Sequence, residues 1–390
     1  MTGGSADTRE RLVEMLLAHA GRHVSGEVLS ADLDMTRAAV WKHMQALQAA
    51  DWPIECVTRK GYRLAEGARL PYSAAGIRAE LQRLEGAGGG EPGTPSPFGQ
   101  TMSDLPPTRG IDWRITLLER TDSTNTYVKA LASDGAPEGC AVFAETQTGG
   151  RGRMGRSWSS REGAGIWMSV LLRPDMPPDQ VQSLTLAASV AVAEALQRYL
   201  AEVAGKAPTW QKDHMLSEMD DPTGYGIGIK WPNDILWQGR KLCGILTEMA
   251  AEPDRVSHVV VGIGLNVCHA ADDFPPELRE TAASLRQVLE SPRLCPDAHA
   301  CRIEPDRNRI AALLLHHLSE TALLHRCGGL ERILDRWRKS SATLGRTIRV
   351  MAPEGAWQAR ALDVGADGRL LVERTDGERK WLLSGEISIR

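Results

Sequence analysis

Three arginines and four glycines crowd one short stretch of this chain, the run ETQTGGRGRMGRSWSS from Glu145 to Ser160. Arg151, Arg153 and Arg156 place permanent positive charge within six residues, with no acid between them. Gly149, Gly150, Gly152 and Gly155 remove side chains where backbone must approach a ligand closely. Such a loop suits a polyphosphate or a developing pentacoordinate phosphorus, held by backbone N–H groups and guanidinium forks. It is not a Walker loop, because the Gly-Lys-Ser/Thr ending is absent. Taken alone, it also fits an arginine–glycine loop that binds nucleic acid without sequence preference.

A further cation narrows the choice. KWPNDI, Lys230 to Ile235, puts a lysine on an otherwise apolar strand beside Trp231. A lysine there either meets an anion such as phosphate or carboxylate, or snorkels to the surface. The arginine loop favours the anion. GRKLCGILTEM and VVVGIGLNV follow, with Gly244, Gly262 and Gly264 inside strand patterns, which signals close backbone approach or a bulge. Asn266 offers an amide to a base or ribose edge. Upstream, TDSTNTYVKAL begins with Ser123, Thr124 and Asn125 before a helical run. One of the three caps that helix, and the set can also hydrogen-bond a polar ligand head.

The elements that must hold these residues alternate between strand and helix. Apolar strand-like runs GIWMSVLLRP, GIKWPNDILW, LCGILTEM and VVVGIGLNV lie between Trp113 and Trp337, with a helix from Pro178 to about Leu200. This predicts an α/β mixture around a sheet. The stretches 202–228 and 268–305 read as insertions on that core. From Thr343 to Arg390, short alternating runs separated by EG, ADG and TDG turns predict a small barrel. Gly86 to Gly99 is Gly/Pro-rich and reads as linker or loop.

The amino-terminal part carries a different constellation. TRERLVEMLLAHA puts Leu12, Met15, Leu16 and His19 on one helical face, and SGEVLSADL supplies a short helix with Ser25 as cap. A third helix, TRAAVWKHMQALQ, buries Val40, Met44 and Leu47 and points Arg37, Trp41, Lys42 and Gln45 outward. PIECVT and YRL then form a hairpin with Arg59, Lys60 and Arg63 at its tip. Two helices, a short turn and a basic wing are the arrangement that places a helix in a major groove. Segment 1–67 holds 8 Lys/Arg against 9 Asp/Glu, but from Met35 to Arg63 the balance is five basic to two acidic. A winged helix used only for packing or protein contact is the plainer alternative.

Composition sets the outer limits. At 390 residues two or three domains are expected, and a net charge of -4 means that any DNA contact must come from a local patch. No secretory leader or membrane span is expected, and seven scattered cysteines without a CxxC pair suit a reducing cytoplasm. Cys295, His299 and Cys301 fit no zinc spacing and are read as loop residues, so no metal site is expected.

Ser123-Thr124-Asn125, Gln147, GRGRMGRSW, KWPND, GRKLCGIL and GIGLN stand in the order and approximate spacing of biotin–protein ligases. The chain resembles that family from about Ile111 to Trp337, and again in the carboxyl-terminal part ending GEISIR. MTRAAVWKHMQALQ with the VTRKGYRL wing resembles the amino-terminal domain of biotin operon repressors. The resemblance implies an α+β protein. A winged helix-turn-helix domain (1–67) and a linker or insertion (68–110) would precede a ligase domain with a mixed sheet of class II synthetase type (111–340). An SH3-like barrel (341–390) would end the chain.

The resemblance also implies ATP-dependent formation of biotinyl-5′-AMP, with Mg2+ accompanying ATP and biotin as substrate, then transfer to a lysine of a biotin carboxyl carrier protein. Lys230 would bridge the biotin carboxylate and α-phosphate, with Arg151 and Arg153 clamping the intermediate. Ser123, Thr124, Asn125 and Gln147 would hold the ureido head, with Gly150, Gly152 and Gly244 against biotin. Arg153, Arg156, Trp158, Lys230, Asn233, Ile263 and Asn266 would face ATP. Arg37 and Gln45 would read operator bases, with Trp41 beside them, while Lys42, Arg59 and Lys60 would touch phosphates of an inverted repeat bound by a homodimer. Met154 stands where many members carry another arginine. The nearest rival is a lipoate or octanoate ligase, against which GRGRMGRSW and the carboxyl-terminal barrel argue. A biotin-binding repressor without ligase activity fits poorly with Lys230 and the three arginines. A ligase whose winged domain no longer reads DNA stays open.

Overall fold

A computed structural model describes residues 3–19, 21–87, 110–205, 225–295, 303–352, 355–383 and 385–389. The chain divides into two compact units, Met1–Gly89 and Gly90–Arg390.

In the first unit, α1 (Gly3–Ala18), α2 (Gly26–Asp32) and α3 (Arg37–Ala49) precede an antiparallel hairpin of β1 (Ile54–Val57) and β2 (Gly61–Leu64). Leu12, Leu16, Leu29, Val40, Met44, Leu47 and Ile54 share one apolar core. Ser25 and Thr36 cap α2 and α3 by accepting from Val28 N and Ala39 N, both at 3.2 Å. Asp34, at φ 51°, makes the turn between those two helices. Gly61 is required at the wing: its φ is +103°, and a Cβ there would lie 2.1 Å from Val24 O. That closeness lets Val24 and Tyr62 exchange backbone hydrogen bonds of 2.8 and 2.9 Å.

The segment 68–110, read from the sequence as linker, contains a helix, α4 (Ala74–Ala87). Ala74, Ala75, Ile77, Leu81 and Leu84 are its buried side chains, and it packs against α1. The Gly/Pro-rich run begins within the last turn of α4, at Gly86 and Ala87; the rest of it and the proposed loop residues His299 and Cys301 lie outside the described residues.

The second unit is built on a mixed seven-stranded sheet in the order β3-β4-β5-β9-β8-β7-β6. Its strands are β3 (Arg114–Thr121), β4 (Cys140–Gln147), β5 (Gly165–Leu172), β6 (Ile227–Lys230), β7 (Asp234–Trp237), β8 (Arg240–Ala251) and β9 (Val256–Asn266). Only β3 and β4 run parallel, because α5 (Thr124–Ser133) crosses between them. Every residue of β5 is buried, as its unbroken apolar run requires, with α5 and α8 (Arg307–Arg326) packed on it. The long α6 (Val181–Val203), nearly all buried, lies against β6, β7 and β8 and against α8 and α9 (Leu330–Lys339). The short α7 (Leu285–Leu289) sits within the 268–305 segment and is capped by a Ser284–Gln287 box.

Where the alternating carboxyl-terminal runs suggested a barrel, β10 (Thr347–Ala352), β11 (Gly355–Val364), β12 (Leu370–Arg374), β13 (Arg379–Leu382) and β14 (Glu386–Ile389) form a five-stranded antiparallel sheet. Its order is β13-β12-β11-β10-β14. It is tied to the KWPND turn: Trp231 N donates to Thr343 Oγ1 at 2.9 Å and Trp231 Nε1 to Gly368 O at 3.0 Å.

Candidate active site

A cavity of about 1170 Å³ opens along the ends of β4, β6, β8 and β9, beneath the arginine loop. Ser123, Thr124, Asn125, Gln147, Arg151, Gly152, Arg153, Lys230 and Gly244 line it. So do Arg156, Trp158, Asn233, Ile263 and Asn266. These include every residue assigned above to biotin or ATP except Gly150. Gly150 is a packing glycine: a Cβ there would sit 2.4 Å from Trp158 O and 2.9 Å from Ser160 Oγ. The six residues assigned to DNA belong to the other unit, where all six are exposed.

At one end of the cavity the polar side chains of α5 and β4 interlock. Ser123 is the N-cap residue of α5, yet its hydroxyl makes no capping bond. Gln147 supplies the cap instead, with Oε1 accepting from Thr124 N at 2.8 Å and contacting Thr124 Oγ1 at 3.1 Å. Gln147 Nε2 donates to Ser160 Oγ at 2.8 Å. Asn125 turns inward, with Nδ2 donating to Glu248 Oε2 at 2.7 Å.

The arginine loop is a small hairpin. Gly152 N donates to Arg156 O at 2.7 Å, and Trp158 N to Gly150 O at 2.9 Å. Met154 sits at its tip with φ 57° and is 80% exposed, so an arginine here would also project into solvent. Arg153 Nη1 donates to Asn233 Oδ1 at 3.1 Å, and Asn233 Nδ2 donates to Ile245 O at 2.6 Å. The loop is thereby joined to the KWPND turn. Arg151 donates to Thr126 Oγ1.

Trp158 lies in a slot that two strand glycines leave open. A Cβ at Gly264 would be 2.6 Å from its ring, and one at Gly244 would be 3.0 Å away. Lys241 Nζ lies 5.3 Å from the same ring and pairs with Asp234 at 2.7 Å. Asn266 spends its amide on Ala283 O at 3.1 Å. His269 stacks on Phe274 at 4.7 Å, and burial, the largest influence, holds its imidazole below the ordinary value, so it is neutral at pH 7. Trp167 is core: it is 1% exposed and meets Trp158 edge-on at 6.4 Å.

Charge around the cavity is lopsided. Arg151, Arg153, Arg156, Lys230, Lys241, Arg293 and Arg346 line it, against only Asp234 and Asp273. Both acids are already engaged, Asp234 by Lys241 and Asp273 by Arg161 at 3.3 Å. The cavity lining is therefore strongly cationic, which suits a polyanion, and its α5–β4 corner adds a set of hydrogen-bond donors and acceptors suited to a polar head group. Sequence reasoning had not assigned Lys241, Asp234, Ser160, Ser169 or Glu248. All five sit inside quoted runs, but only Lys241 and Asp234 are charged residues within the KWPND and GRKLCGIL motifs; Ser160, Ser169 and Glu248 are ordinary loop or strand residues whose roles appear only once the strands are paired.

Comparison with known proteins matches this geometry. The biotin/lipoate A/B protein ligase family matches residues 117–266, an HTH domain matches 8–63, and the biotin protein ligase C-terminal domain matches 343–390. The bifunctional ligase/repressor BirA of Bacillus spizizenii is 32% identical over 381 residues, covering 98% of each chain. The biotin–[acetyl-CoA-carboxylase] ligase of Mycobacterium tuberculosis is 34% identical over 268 residues, 68% of this chain and 85% of that one. The solved biotin protein ligase of Aquifex aeolicus, in complex with biotin and ATP, superposes with a TM-score of 0.53 at 25% identity. It covers 71% of this chain and 98% of its own. With a third of its residues shared over nearly its whole length, and all three domain types in the same order, this chain belongs to the bifunctional ligase/repressor family of biotin protein ligases.

Proposed function

We propose that the chain joins biotin to ATP as biotinyl-5′-AMP, passes biotin to a lysine of a biotin carboxyl carrier protein, and represses biotin-synthesis genes through its winged domain. The observation that carries the ligase reading is the cavity itself: seven basic side chains against two paired acids in its lining, together with the Thr124–Gln147–Ser160 hydrogen-bond set.

In the first half-reaction a biotin carboxylate oxygen forms a bond to the α-phosphorus of ATP, and the bond to pyrophosphate breaks. A carboxylate is already ionised at neutral pH, so no protein base is needed. The chain supplies alignment and charge neutralisation. Lys230 ends β6 in the cationic lining and bridges carboxylate and α-phosphate in this reading. Arg151 and Arg153 close over the intermediate, and Arg156 and Trp158 cover the nucleotide. In the second half-reaction the carrier lysine's amine attacks the acyl carbon and AMP leaves. Magnesium arrives on the phosphates of ATP; among the described residues no group of three or more His, Cys, Asp or Glu forms a cage for it.

Arg37, Trp41, Lys42 and Gln45 on the exposed face of α3, with Arg59 and Lys60 on the wing, form the DNA-reading surface of this proposal. One reading helix per chain implies a homodimer on a two-site operator. The domain limits we adopt follow the matched segments, with α4 added to the winged unit. Among the described residues no helix is long and apolar enough to cross a membrane, and we place both activities in the cytoplasm, with ATP and DNA. The test is ATP–pyrophosphate exchange with biotin, octanoate and lipoate offered separately. Exchange with biotin alone is expected; exchange driven by octanoate would overturn the assignment.

A further inference from the structure

Behind the α5–β4 corner of the cavity, a charged pair is wired to the head-group residues. Lys129 Nζ lies 2.6 Å from Glu248 Oε1, and Glu248 Oε2 accepts from Asn125 Nδ2 at 2.7 Å. Asn125 Oδ1 is 2.5 Å from Ser169 Oγ, which is 2.7 Å from Thr124 Oγ1. Ser169 is fully buried, and Thr124 and Asn125 are only 3% and 5% exposed, so these groups must satisfy one another. Burial alone would raise the Glu248 carboxyl, but hydrogen bonds from Lys129 and Asn125 and the charges of Lys129 and Arg151 hold it below the usual carboxylate range. It is ionised at neutral pH.

Counting protons fixes the direction of every bond. A carboxylate only accepts, so Asn125 must turn its NH2 to Glu248 and its oxygen to Ser169. An amide oxygen also only accepts, so Ser169 spends its single proton there. The Thr124 proton then has two protein acceptors, Ser169 Oγ at 2.7 Å and Gln147 Oε1 at 3.1 Å, and the shorter contact needs it because Ser169 has no proton left; either way Thr124 is an acceptor where it lines the cavity. Gln147 is fixed the same way: its oxygen receives Thr124 N–H and its NH2 faces Ser160, with a second N–H to offer. The rim thus presents an acceptor beside a donor. Without the anion, Asn125 can turn over and donate to Ser169. Ser169 then donates to Thr124, whose own proton is released from that contact and can turn to Gln147 Oε1 or to a ligand lone pair, so Thr124 is no longer locked as an acceptor.

We propose that Glu248, held by Lys129, is a positioning residue that sets the hydrogen-bond polarity of the head-group pocket through Asn125 and Ser169. This polarity selects a neutral cyclic urea, which brings an N–H to Thr124, over isosteric rings that bring a lone pair. The inference rests on the biotin reading above and deepens it.

The experiment measures pyrophosphate exchange by the full chain with biotin and with its neutral cyclic-carbamate analogues, in which a ring oxygen replaces either ureido N–H. For the wild type, KM for the carbamate that faces Thr124 is expected to exceed that for biotin by on the order of tenfold, the scale of one mismatched buried hydrogen bond. In E248Q and in S169A that ratio should collapse to within about threefold, while KM for ATP stays within about twofold. A structural defect would raise all KM values together and leave the ratio intact. Should E248Q fail to fold, S169A carries the test, since it removes only the relay hydroxyl. An unchanged ratio in the folded variants overturns the proposal. A wild type that shows no exchange with biotin overturns the ligase reading instead.

Discussion

Lys230 and Gly264 make the site testable one residue at a time. Lys230 closes β6 opposite Asp234 and is the cation that this strand brings to the KWPND turn. Lys230→Ala should lower biotin-dependent pyrophosphate exchange by about 100-fold or more, as loss of a transition-state charge contact does. Comparable exchange would remove Lys230 from the chemistry. Gly264 tests the other wall. A methyl group there would lie 2.6 Å from the Trp158 ring, so Gly264→Ala should push the indole out of its slot. KM for ATP should rise on the order of tenfold, with less change in KM for biotin, because only the nucleotide side loses its cover. An equal rise in both constants would mean that Trp158 does not stand on the nucleotide side. At this scale the sequence was informative wherever composition alone is odd. Three arginines among glycines and a lysine in an apolar strand are visible without a fold. Lys129 and Glu248 were not, because 119 residues separate them and each is unremarkable on its own helix or strand. Asn125 and Asn266 were legible as polar groups near a ligand, but not as amides already engaged by Glu248 and Ala283.

The elements that carry the site depend on one ion pair buried among three helices. Glu194 of α6 is only 5% exposed and takes both Nε and Nη2 of Arg336 on α9, the Nε contact at 2.6 Å, with His317 of α8 beside it. Burial pushes the Glu194 carboxyl up, but the neighbouring His317, 3.6 Å away, and the hydrogen-bonded guanidinium of Arg336 outweigh it, and the group is held below its ordinary value. A depressed carboxylate contributes stability that is full above the unfolded-state value and is lost as pH falls through the folded one. Arg336→Met would leave the carboxylate buried without its principal cation, at a cost of about 3–5 kcal/mol near neutrality. The deficit should shrink as pH falls from about 7 towards about 4, because the variant's Glu194, buried without that cation, takes up a proton in this range and no longer needs a partner, whereas the wild type keeps its ionised form until lower pH. Urea melts of both proteins from pH 7 to pH 4 would check this, and a pH-independent difference would show that Arg336 acts by packing alone. The unbroken apolar run of β5 and the glycine-bearing β8 and β9 were readable as strands, since their patterns are local. Helix α4 was not read, because its buried Ile77, Leu81 and Leu84 sit beside a Gly/Pro-rich run that dominated the composition of the segment. The carboxyl-terminal strands were likewise readable by alternation, whereas their sheet order depends on β14 pairing with β10, a long-range choice that alternation does not encode.

At the scale of the whole molecule, a ligase and a DNA-reading unit share one chain, and thermodynamics links them whenever one ligand changes the other's preferred state. The adenylate is the ligand best placed to do so. On the proposed reading it occupies the cavity beneath a loop that carries three arginines within six residues, and a two-site operator favours whichever state pairs two chains. If the occupied loop favours the paired state, adenylate and operator must promote each other's binding by the same factor, usually about 5–150-fold. Unmodified carrier protein should oppose this, because it consumes the adenylate. Operator occupancy is therefore expected to rise when biotin is plentiful and to fall when unbiotinylated carrier accumulates. Binding should weaken steeply with salt, and Lys60→Ala should flatten that slope while Arg37→Ala relaxes base preference if, as proposed, the first meets phosphate and the second a base edge. The decisive titration compares operator binding by the protein alone, with a nonhydrolysable adenylate analogue, and with analogue plus carrier domain, while sedimentation reports mass. Equal operator affinity with and without the analogue, at concentrations below the dimerisation constant, would show that the two units of this chain work independently.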